Sequence, residues 1–182
     1  MKTLVVAPHP DDETLGCGGT LLRRKSEGSE LGWLIVTSIS DKAGWSVETV
    51  KQRDEEIEKV SELVGFDKVF NLRLPSTQLD SLPMSDLIDK LSTVFKEFEP
   101  IEVLLPCFSD VHTDHRIVFD AAVACTKWFR YPFVKRVLAY ETISETEFNF
   151  IVHEPKAIID LFNAISESSN FFKYLSIAVS EW

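Results

Sequence analysis

The sequence lacks long hydrophobic runs, closely spaced cysteine pairs and an excess of basic residues. Its three cysteines, Cys17, Cys107 and Cys125, are odd in number and show no CxxC spacing, so we interpret them as reduced and mostly buried thiols. The chain opens with an apolar stretch of only five residues, 4–8. That is too short for a signal peptide or a membrane span, and we expect a cytoplasmic protein.

The charge balance excludes several classes of partner. The formal net charge is −10, whereas binding to a nucleic-acid backbone or an anionic membrane surface needs clustered lysine and arginine. We therefore expect a small-molecule or glycan partner and no nucleic acid. With 182 residues, of which 45% are hydrophobic and 26% charged, the chain is long enough to bury a core without disulfide bonds.

Short apolar runs alternate with segments of helical periodicity. The runs have the length and composition of buried strands and lie at 3–7, 31–37, 68–72, 101–106 and 136–141. Helices are predicted between them over 46–66, 85–100 and 114–128. The alternation predicts a doubly wound α/β domain with a mostly parallel sheet. Since no repeat or Gly/Ser linker interrupts the chain, we expect one domain over 1–182, with an ambiguous pattern past residue 142.

The longest predicted helix, 46–66, has clear boundaries. Ser46 is a plausible start and Gly65 a plausible C-cap. Its expected apolar stripe consists of Val47, Val50, Ile57, Val60, Leu63 and Val64.

Two segments at predicted strand ends concentrate residues that can carry chemistry. The first strand is followed by "PHPDDE" (8–13) and the fourth by "PCFSDVHTDHR" (106–116). Three of the four histidines of the chain fall in these segments. Ligands of open α/β sheets bind beyond the carboxyl ends of the strands, so the two segments are expected to meet there.

Two interpretations of the acids in "PHPDDE" compete. Asp11, Asp12 and Glu13 would suit the first turn of a helix, because carboxylates complement its dipole. Capping needs one acid rather than three, however, and gives no role to His9 between two prolines. Two histidines and one aspartate, with an open position for water, are a typical catalytic Zn²⁺ site. His9, His115 and one of the two aspartates would form this set.

The remaining groups suggest acid–base chemistry around that metal. The aspartate that does not bind the metal is free to take a proton from the activated water. His112 lies one helical turn from His115 and could protonate the leaving group or stabilise the oxyanion. Asp114 could keep His112 protonated through its charge.

With these two motifs the sequence resembles the LmbE/PIG-L family of zinc-dependent N-deacetylases. "PHPDDE" followed by "HTDH" about a hundred residues later carries the resemblance, and "QRDEEIEKVSELVGF" and "LRLPSTQLD" extend it from residue 3 to about 145. The resemblance implies a Rossmann-like three-layer α/β/α fold. It also implies hydrolysis of acetamido groups, typically on molecules that contain N-acetylglucosamine.

The resemblance also implies a role for each motif residue. His9, Asp12 and His115 correspond to the metal ligands, Asp11 to the general base and His112 to the acid or oxyanion partner. Zn²⁺ is the implied cofactor, although two histidines and an aspartate also suit Fe²⁺, Mn²⁺ or Co²⁺.

Several further residues have less specific interpretations. Arg53 matches a family position near the substrate, but it could instead pair with a glutamate of its own helix. Trp45 could stack on a sugar ring, or simply pack against its own loop. Glu13 is expected to be a structural carboxylate. Three glycines are expected to let the first helix pack closely beneath the metal loop: Gly16, Gly18 and Gly19.

The alternatives are a phosphate loop, a cysteine nucleophile and a protein without catalysis. "GCGGTLL" (16–22) lacks the third glycine of GxGxxG and follows three acids, which disfavours a phosphate loop. Cys107 is more typical of a buried structural thiol. A metal-bearing sugar-binding protein would be expected to lack Asp11 or His112, and both are present. Hydrolysis of a non-sugar amide stays open, as does a site completed by a partner chain, since the region after 142 is shorter than in typical family members.

Overall fold

Five parallel strands run through the structure, a computed structural model that describes residues 1–143. The strands are β1 (Lys2–Ala7), β2 (Glu30–Ser38), β3 (Lys68–Pro75), β4 (Glu102–Pro106) and β5 (Arg136–Tyr140). They form one sheet in the order β3-β2-β1-β4-β5, and every adjacent pair is parallel. The strand order therefore reverses between β1 and β4, which is where ligands bind in doubly wound folds.

Four α-helices cover the two faces of the sheet. They are α1 (Asp12–Ser26), α2 (Val47–Val64), α3 (Met84–Phe98) and α4 (Thr113–Ala124). Apolar residues of α1 and α2 pack on one face, and those of α3 and α4 pack on the other. The predicted three-layer α/β/α architecture is confirmed. No helix within residues 1–143 is both long and apolar enough to cross a membrane.

The helix boundaries follow local chemistry. Ser46 caps α2 by accepting a hydrogen bond at its Oγ from the N–H of Thr49, at 3.0 Å, and Gly65 ends the helix with φ +79°. Helix α3 ends at Phe98, and Glu99 turns away in the left-handed region because the residue before Pro100 is disfavoured in helix.

Two details of the predicted helices are wrong. In α2 the first part of the expected apolar stripe is not in the core, since Val47 is 67% exposed and burial begins at Ile57. The start of α2 lies beside a cavity, which Arg53 lines, and not over the sheet. Helix α4 ends at Ala124, four residues before the predicted end at Trp128, because the N–H groups of Cys125 and Thr126 bond three residues back and close the helix in a turn.

Gly16 allows a close approach between α1 and β5, whereas the packing of Gly16, Gly18 and Gly19 beneath the metal loop stays a prediction. A β-carbon at this position would lie 2.2 Å from Cδ2 of Tyr140, whose ring is buried. That ring cannot move aside easily, because its hydroxyl donates a hydrogen bond to the carbonyl of Val6 at 2.9 Å. Glycine at position 16 thus lets α1 lie directly against β5.

Gly16→Ala should therefore destabilise the protein by about 1–3 kcal/mol, the usual cost of overpacking a core. Chemical denaturation would measure this. Tyr140→Ala removes the ring with which the methyl group of Ala at position 16 would clash. The variant with both substitutions should therefore lose less stability than the sum of the losses of the two single variants. Additive losses would contradict the contact.

A buried ion pair joins α1 to β4 at the amino end of that strand. Glu102 is fully buried at the start of β4, and Arg24 of α1 donates to both of its carboxylate oxygens, at 2.7 and 3.1 Å. Thr3 adds a third hydrogen bond at 3.2 Å. A buried carboxylate that loses its partner is costly, so this pair is sensitive to removal of either member.

Arg24→Met should lower the free energy of unfolding by about 3 kcal/mol, the low end of the usual cost of breaking a buried ion pair, because the Glu102 carboxylate loses its bidentate partner. Arg136 is 57% exposed and lies 3.3 Å from Oε2 of Glu102, so it compensates part of the loss. Arg23→Met is the matched control on the same helix. Arg23 is 72% exposed, and within residues 1–143 its only ion pair is with Glu27 at the surface, a contact worth about 1 kcal/mol or less. Equal losses for the two variants in denaturant titrations would contradict this assignment.

Candidate metal centre

The two motifs meet at the reversal of the strand order. His9 follows β1 in the loop that leads into α1, and His112 and His115 lie at the start of α4, after β4. Together with Asp11 and Asp12 they line a cavity of about 270 Å³ at the carboxyl ends of the strands. The sequence prediction that both segments form one site is consistent with this placement.

His9, Asp12 and His115 converge on one point. The distances from His9 Nδ1 to Asp12 Oδ2, from His115 Nε2 to Asp12 Oδ1 and from His115 Nε2 to His9 Nδ1 are each 3.3 Å. Ligand atoms about 2.0–2.1 Å from a tetrahedral ion are separated by about 3.3 Å, so the three groups have the spacing that such an ion requires. The donor set therefore fits a divalent metal.

Each histidine of this set has a buried carboxylate on its other ring nitrogen. Asp110 Oδ2 lies 2.9 Å from His115 Nδ1, and Asp114 Oδ2 lies 3.3 Å from His9 Nε2. Such partners fix the tautomer and the ring orientation of metal-binding histidines. Asp110 was not among the predicted site residues. The sequence feature that could have identified it is its position in the same strand-end segment, five residues before His115.

The described residues also contain a second group with metal-ligand spacing, formed by His9, His112 and Asp114. Its atoms are already engaged. Nδ1 of His112 accepts a hydrogen bond from the N–H of Asp114 at 3.1 Å, and the Asp114 carboxylate accepts bonds from the backbone of Thr77 and Leu79. In the group formed by His9, Asp12 and His115, the backbone donor that contacts a potential ligand atom within residues 1–143 is the N–H of His9. It donates to Oδ2 of Asp12 at 2.7 Å.

The ionisation of the ligands reflects their mutual contacts. Burial disfavours the charged form of His9, but its hydrogen bonds to Asp114 and Asp12 outweigh burial and raise its pKa to about 10. Burial acts in the same way on His115, whose bonds to Asp110 and Asp12 raise its pKa to about 9. Protons therefore compete with a metal for the ring nitrogens, and they must leave these nitrogens when a metal binds.

The three consecutive acids have three different environments. Asp11 occupies the N-cap position of α1 but makes no side-chain capping bond. Burial and the neighbouring Asp12 raise the pKa of Asp11 to about 6. Burial also raises the pKa of Glu13 to about 8, and this carboxylate accepts a hydrogen bond from the Thr14 hydroxyl at 2.6 Å. The structure thus places Asp11 and Asp12 at the cavity and Glu13 in the interior.

His112 is held in a neutral form that differs from the expected one. Burial, followed by the charges of His9 and His115, lowers its pKa, and the opposing effect of Asp114 is smaller. Because Nδ1 accepts the N–H of Asp114, the ring proton lies on Nε2. The carboxylate of Asp114 bonds to His9 and to the backbone at residues 77 and 79, so its direct partner is His9 and not His112.

The other predicted residues lie at different distances from the cavity. Arg53 lines the cavity and pairs with Glu56 of its own helix at 3.3 Å, whereas its position near a substrate stays a prediction. Trp45 is 51% exposed, and its side chain is not part of the cavity wall within the described residues. Cys107 is buried, with Sγ 3.2 Å from the Ser109 hydroxyl, and it also lies outside the cavity lining.

Comparison with known families agrees with the site. The family model described as PIG-L, GlcNAc-PI de-N-acetylase, matches residues 4–126. The chain belongs to the PIG-L family. The match spans both metal motifs, and with its deacetylase relatives it identifies the protein as a member of a family of deacetylases, which are hydrolases.

Three relatives illustrate the similarity. A protein of Escherichia coli (strain K12) named uncharacterized deacetylase YaiS is 27% identical over 147 residues, which is 78% of this chain and 74% of that protein. Diacetylchitobiose deacetylase of Thermococcus kodakarensis is 31% identical over 123 residues, 63% of this chain and 45% of that enzyme. The crystal structure of the conserved protein TT1542 from Thermus thermophilus superposes with a TM-score of 0.70 and 29% identity, covering 96% of this chain and 78% of that one.

Asp110→Asn should weaken Zn²⁺ binding by about 10–100-fold, the usual effect of losing the carboxylate behind a metal-binding histidine. Competition with a chromophoric chelator would measure the affinity of the purified protein. Asp120→Asn makes the same change on the exposed side of α4 and should leave the affinity unaltered. Equal affinities for both variants would show that Asp110 does not support His115.

Proposed function

We propose that the protein is a Zn²⁺-dependent hydrolase that removes the acetyl group from an N-acetylated sugar. The observation that carries this proposal is the spacing of His9, Asp12 and His115 beside the carboxylate of Asp11 in the cavity wall. Nδ1 of His9 and Nε2 of His115 lie 3.3 Å apart, and each lies 3.3 Å from a different oxygen of Asp12. Family membership supports the hydrolytic reaction. The name of the Thermococcus relative, a diacetylchitobiose deacetylase, supports an acetamido sugar as the substrate class.

His9, Asp12 and His115 would hold the ion. When bound, a divalent ion polarises a carbonyl and lowers the pKa of water towards neutrality. Asp11 lies on the cavity wall next to the ligand Asp12, and no capping bond occupies its carboxylate. We assign to Asp11 the role of general base, which takes the proton of the attacking water.

His112 faces the same cavity from the opposite motif. Its Nε2–H is the donor that the structure leaves available, since Nδ1 accepts a backbone N–H. We assign this donor to the oxygen of the acetamide, where negative charge develops as water adds to the carbonyl. Asp114 then acts on the metal ligand His9, whose Nε2 it contacts, in place of the predicted action on His112.

The walls of the cavity suggest how a sugar would be recognised. Arg53 adds a cation to the cavity lining, and Ser76 adds a hydroxyl. Thr37 and Ser38 also belong to the lining, but their hydroxyls already donate to the carbonyl of Pro8 at 2.8 Å and to Oδ1 of Asn71 at 3.0 Å. Arg53 and Ser76 are therefore suited to bind hydroxyls of a sugar ring, and a volume of about 270 Å³ fits a small ligand. Trp45 remains a proposal for stacking on a more distant part of a glycan, because it is exposed outside this wall.

Two alternatives keep the same site but change its use. A non-catalytic metal-bearing sugar-binding protein would have no need for an unoccupied carboxylate at Asp11 beside the ligands, so the enzyme is favoured. Hydrolysis of a non-sugar amide would use the same chemistry, but the residues that line the cavity would recognise a different substrate. We also propose a cytoplasmic location, supported by three cysteines that are free and buried.

Asp11→Asn should lower the rate of acetate release by a factor of about 100 to 10,000, the usual contribution of a positioned general base, while metal content stays near one equivalent. The assay is acetate release from a panel of N-acetyl sugars and nucleotide sugars, with metal measured by elemental analysis. Asp41→Asn, in an exposed turn, is the control.

Two results would contradict the proposal. Metal-free protein that still hydrolyses the substrate would exclude the mechanism. Full metal occupancy without acetate release from any member of the panel would favour the binding protein or a non-sugar amide.

A further inference from the structure

One turn of the cavity wall is attached to the metal site through a single buried carboxylate. This turn, Ser76–Leu79, follows β3, and its first two residues line the cavity. The N–H of Thr77 donates to Oδ2 of Asp114 at 2.7 Å, and the N–H of Leu79 donates to Oδ1 at 3.3 Å. Asp114 therefore accepts backbone hydrogen bonds from this turn with both of its carboxylate oxygens.

The same carboxylate contacts a proposed metal ligand. Asp114 Oδ2 lies 3.3 Å from Nε2 of His9, while Nδ1 of that ring faces Asp12 and His115. Asp114 is fully buried, so water does not compete for its oxygens. One oxygen atom thus connects the backbone of Thr77 to the ring whose orientation the metal site requires.

The turn is held in a conformation that it would not adopt freely. Thr77 has φ +60°, in the left-handed region that β-branched residues rarely occupy. Its hydroxyl donates to the carbonyl of Ser76 at 2.7 Å, and Leu79 is anchored in the core with 1% of its surface exposed. Backbone strain of this kind persists only where the surroundings fix it, and it is concentrated at functional sites.

We propose that the Ser76–Leu79 turn sets the position of His9 through Asp114, so that Thr77 and Leu79 are positioning residues for the metal although neither is a ligand. The proposal rests on the proposed metal site. Both residues act through backbone N–H groups, which ordinary side-chain substitution leaves in place.

Insertion of one glycine between Thr77 and Gln78 tests the attachment in the full chain. The insertion moves the two N–H groups apart by one residue, so that Asp114 can no longer accept both, whereas lengthening a surface loop by itself costs little stability. We expect the affinity for Zn²⁺, measured by chelator competition without substrate, to fall about 10-fold or more. A glycine inserted after Ser81, in the same connection but beyond Leu79, should leave the affinity unchanged.

Two further variants separate the attachment from a general disturbance. Gln78→Ala keeps both N–H groups and changes only an exposed side chain of the same turn, so it should retain wild-type Zn²⁺ affinity. Asp114→Asn removes one acceptor oxygen, and in that background the insertion should have little further effect, because residues that act through one contact are not additive.

The proposal is overturned if the insertion leaves Zn²⁺ affinity intact, or if it lowers the affinity equally in wild type and in Asp114→Asn. A loss for Gln78→Ala as large as that for the insertion would also overturn it, since the N–H groups would then not be responsible. All these readouts need only Zn²⁺. A protein that binds Zn²⁺ as expected but releases no acetate would contradict the proposed function and leave this attachment supported.

Discussion

The site depends on the contact between two charged loops at the point where the strand order reverses. Because β1 and β4 are neighbours and both run parallel, the loops that follow them end at the same edge of the sheet. His9 arrives from one loop and His115 from the other, and the carboxylate of Asp12 lies 3.3 Å from a ring nitrogen of each. No other pairing of strands in this sheet would bring the two motifs together.

Burial of so many ionisable groups in one place has an energetic consequence. Asp12, Asp110 and Asp114 are all buried, and isolated carboxylates there would be strongly destabilising. The carboxylates raise the pKa values of His9 and His115, because positive charge at these rings compensates the negative charge of their partners. A divalent ion would supply positive charge at the same place.

Much of the fold was predictable from the sequence because its signals are local. The strands are apolar runs without alternation, the cap of α2 is a serine at Ser46, and its end is a glycine at Gly65. The errors arose where tertiary context decided the outcome. Val47 follows the helical spacing of a core residue, but α2 begins beside the cavity, and no periodicity reveals that. The early end of α4 at Ala124 follows from backbone hydrogen bonds of Cys125 and Thr126 to carbonyls three residues back, which apolar spacing does not reveal either.

The residues of the candidate site could be predicted from the sequence, but their hydrogen-bond partners could not. Spacing and the family resemblance together predict His9, Asp12 and His115 as site residues. Neither indicates which carboxylate contacts which imidazole ring. Asp114 illustrates the limit. Its place beside His112 in "HTDH" suggested action on that histidine, yet the start of a helix directs adjacent side chains to different sides, and the carboxylate reaches His9 and the turn after β3 instead.

The partner of Asp114 changes what His112 is able to do. A histidine with an aspartate on Nδ1 would be favoured as an imidazolium and would suit proton donation to a leaving group. A histidine whose Nδ1 accepts a backbone N–H is instead neutral, with its proton on Nε2. Three imidazole rings lie within 4.6 to 5.3 Å of one another, and a third positive charge among them would be opposed by the other two. The arrangement therefore favours His112 as a neutral hydrogen-bond donor to developing negative charge, and it leaves the movement of protons to Asp11.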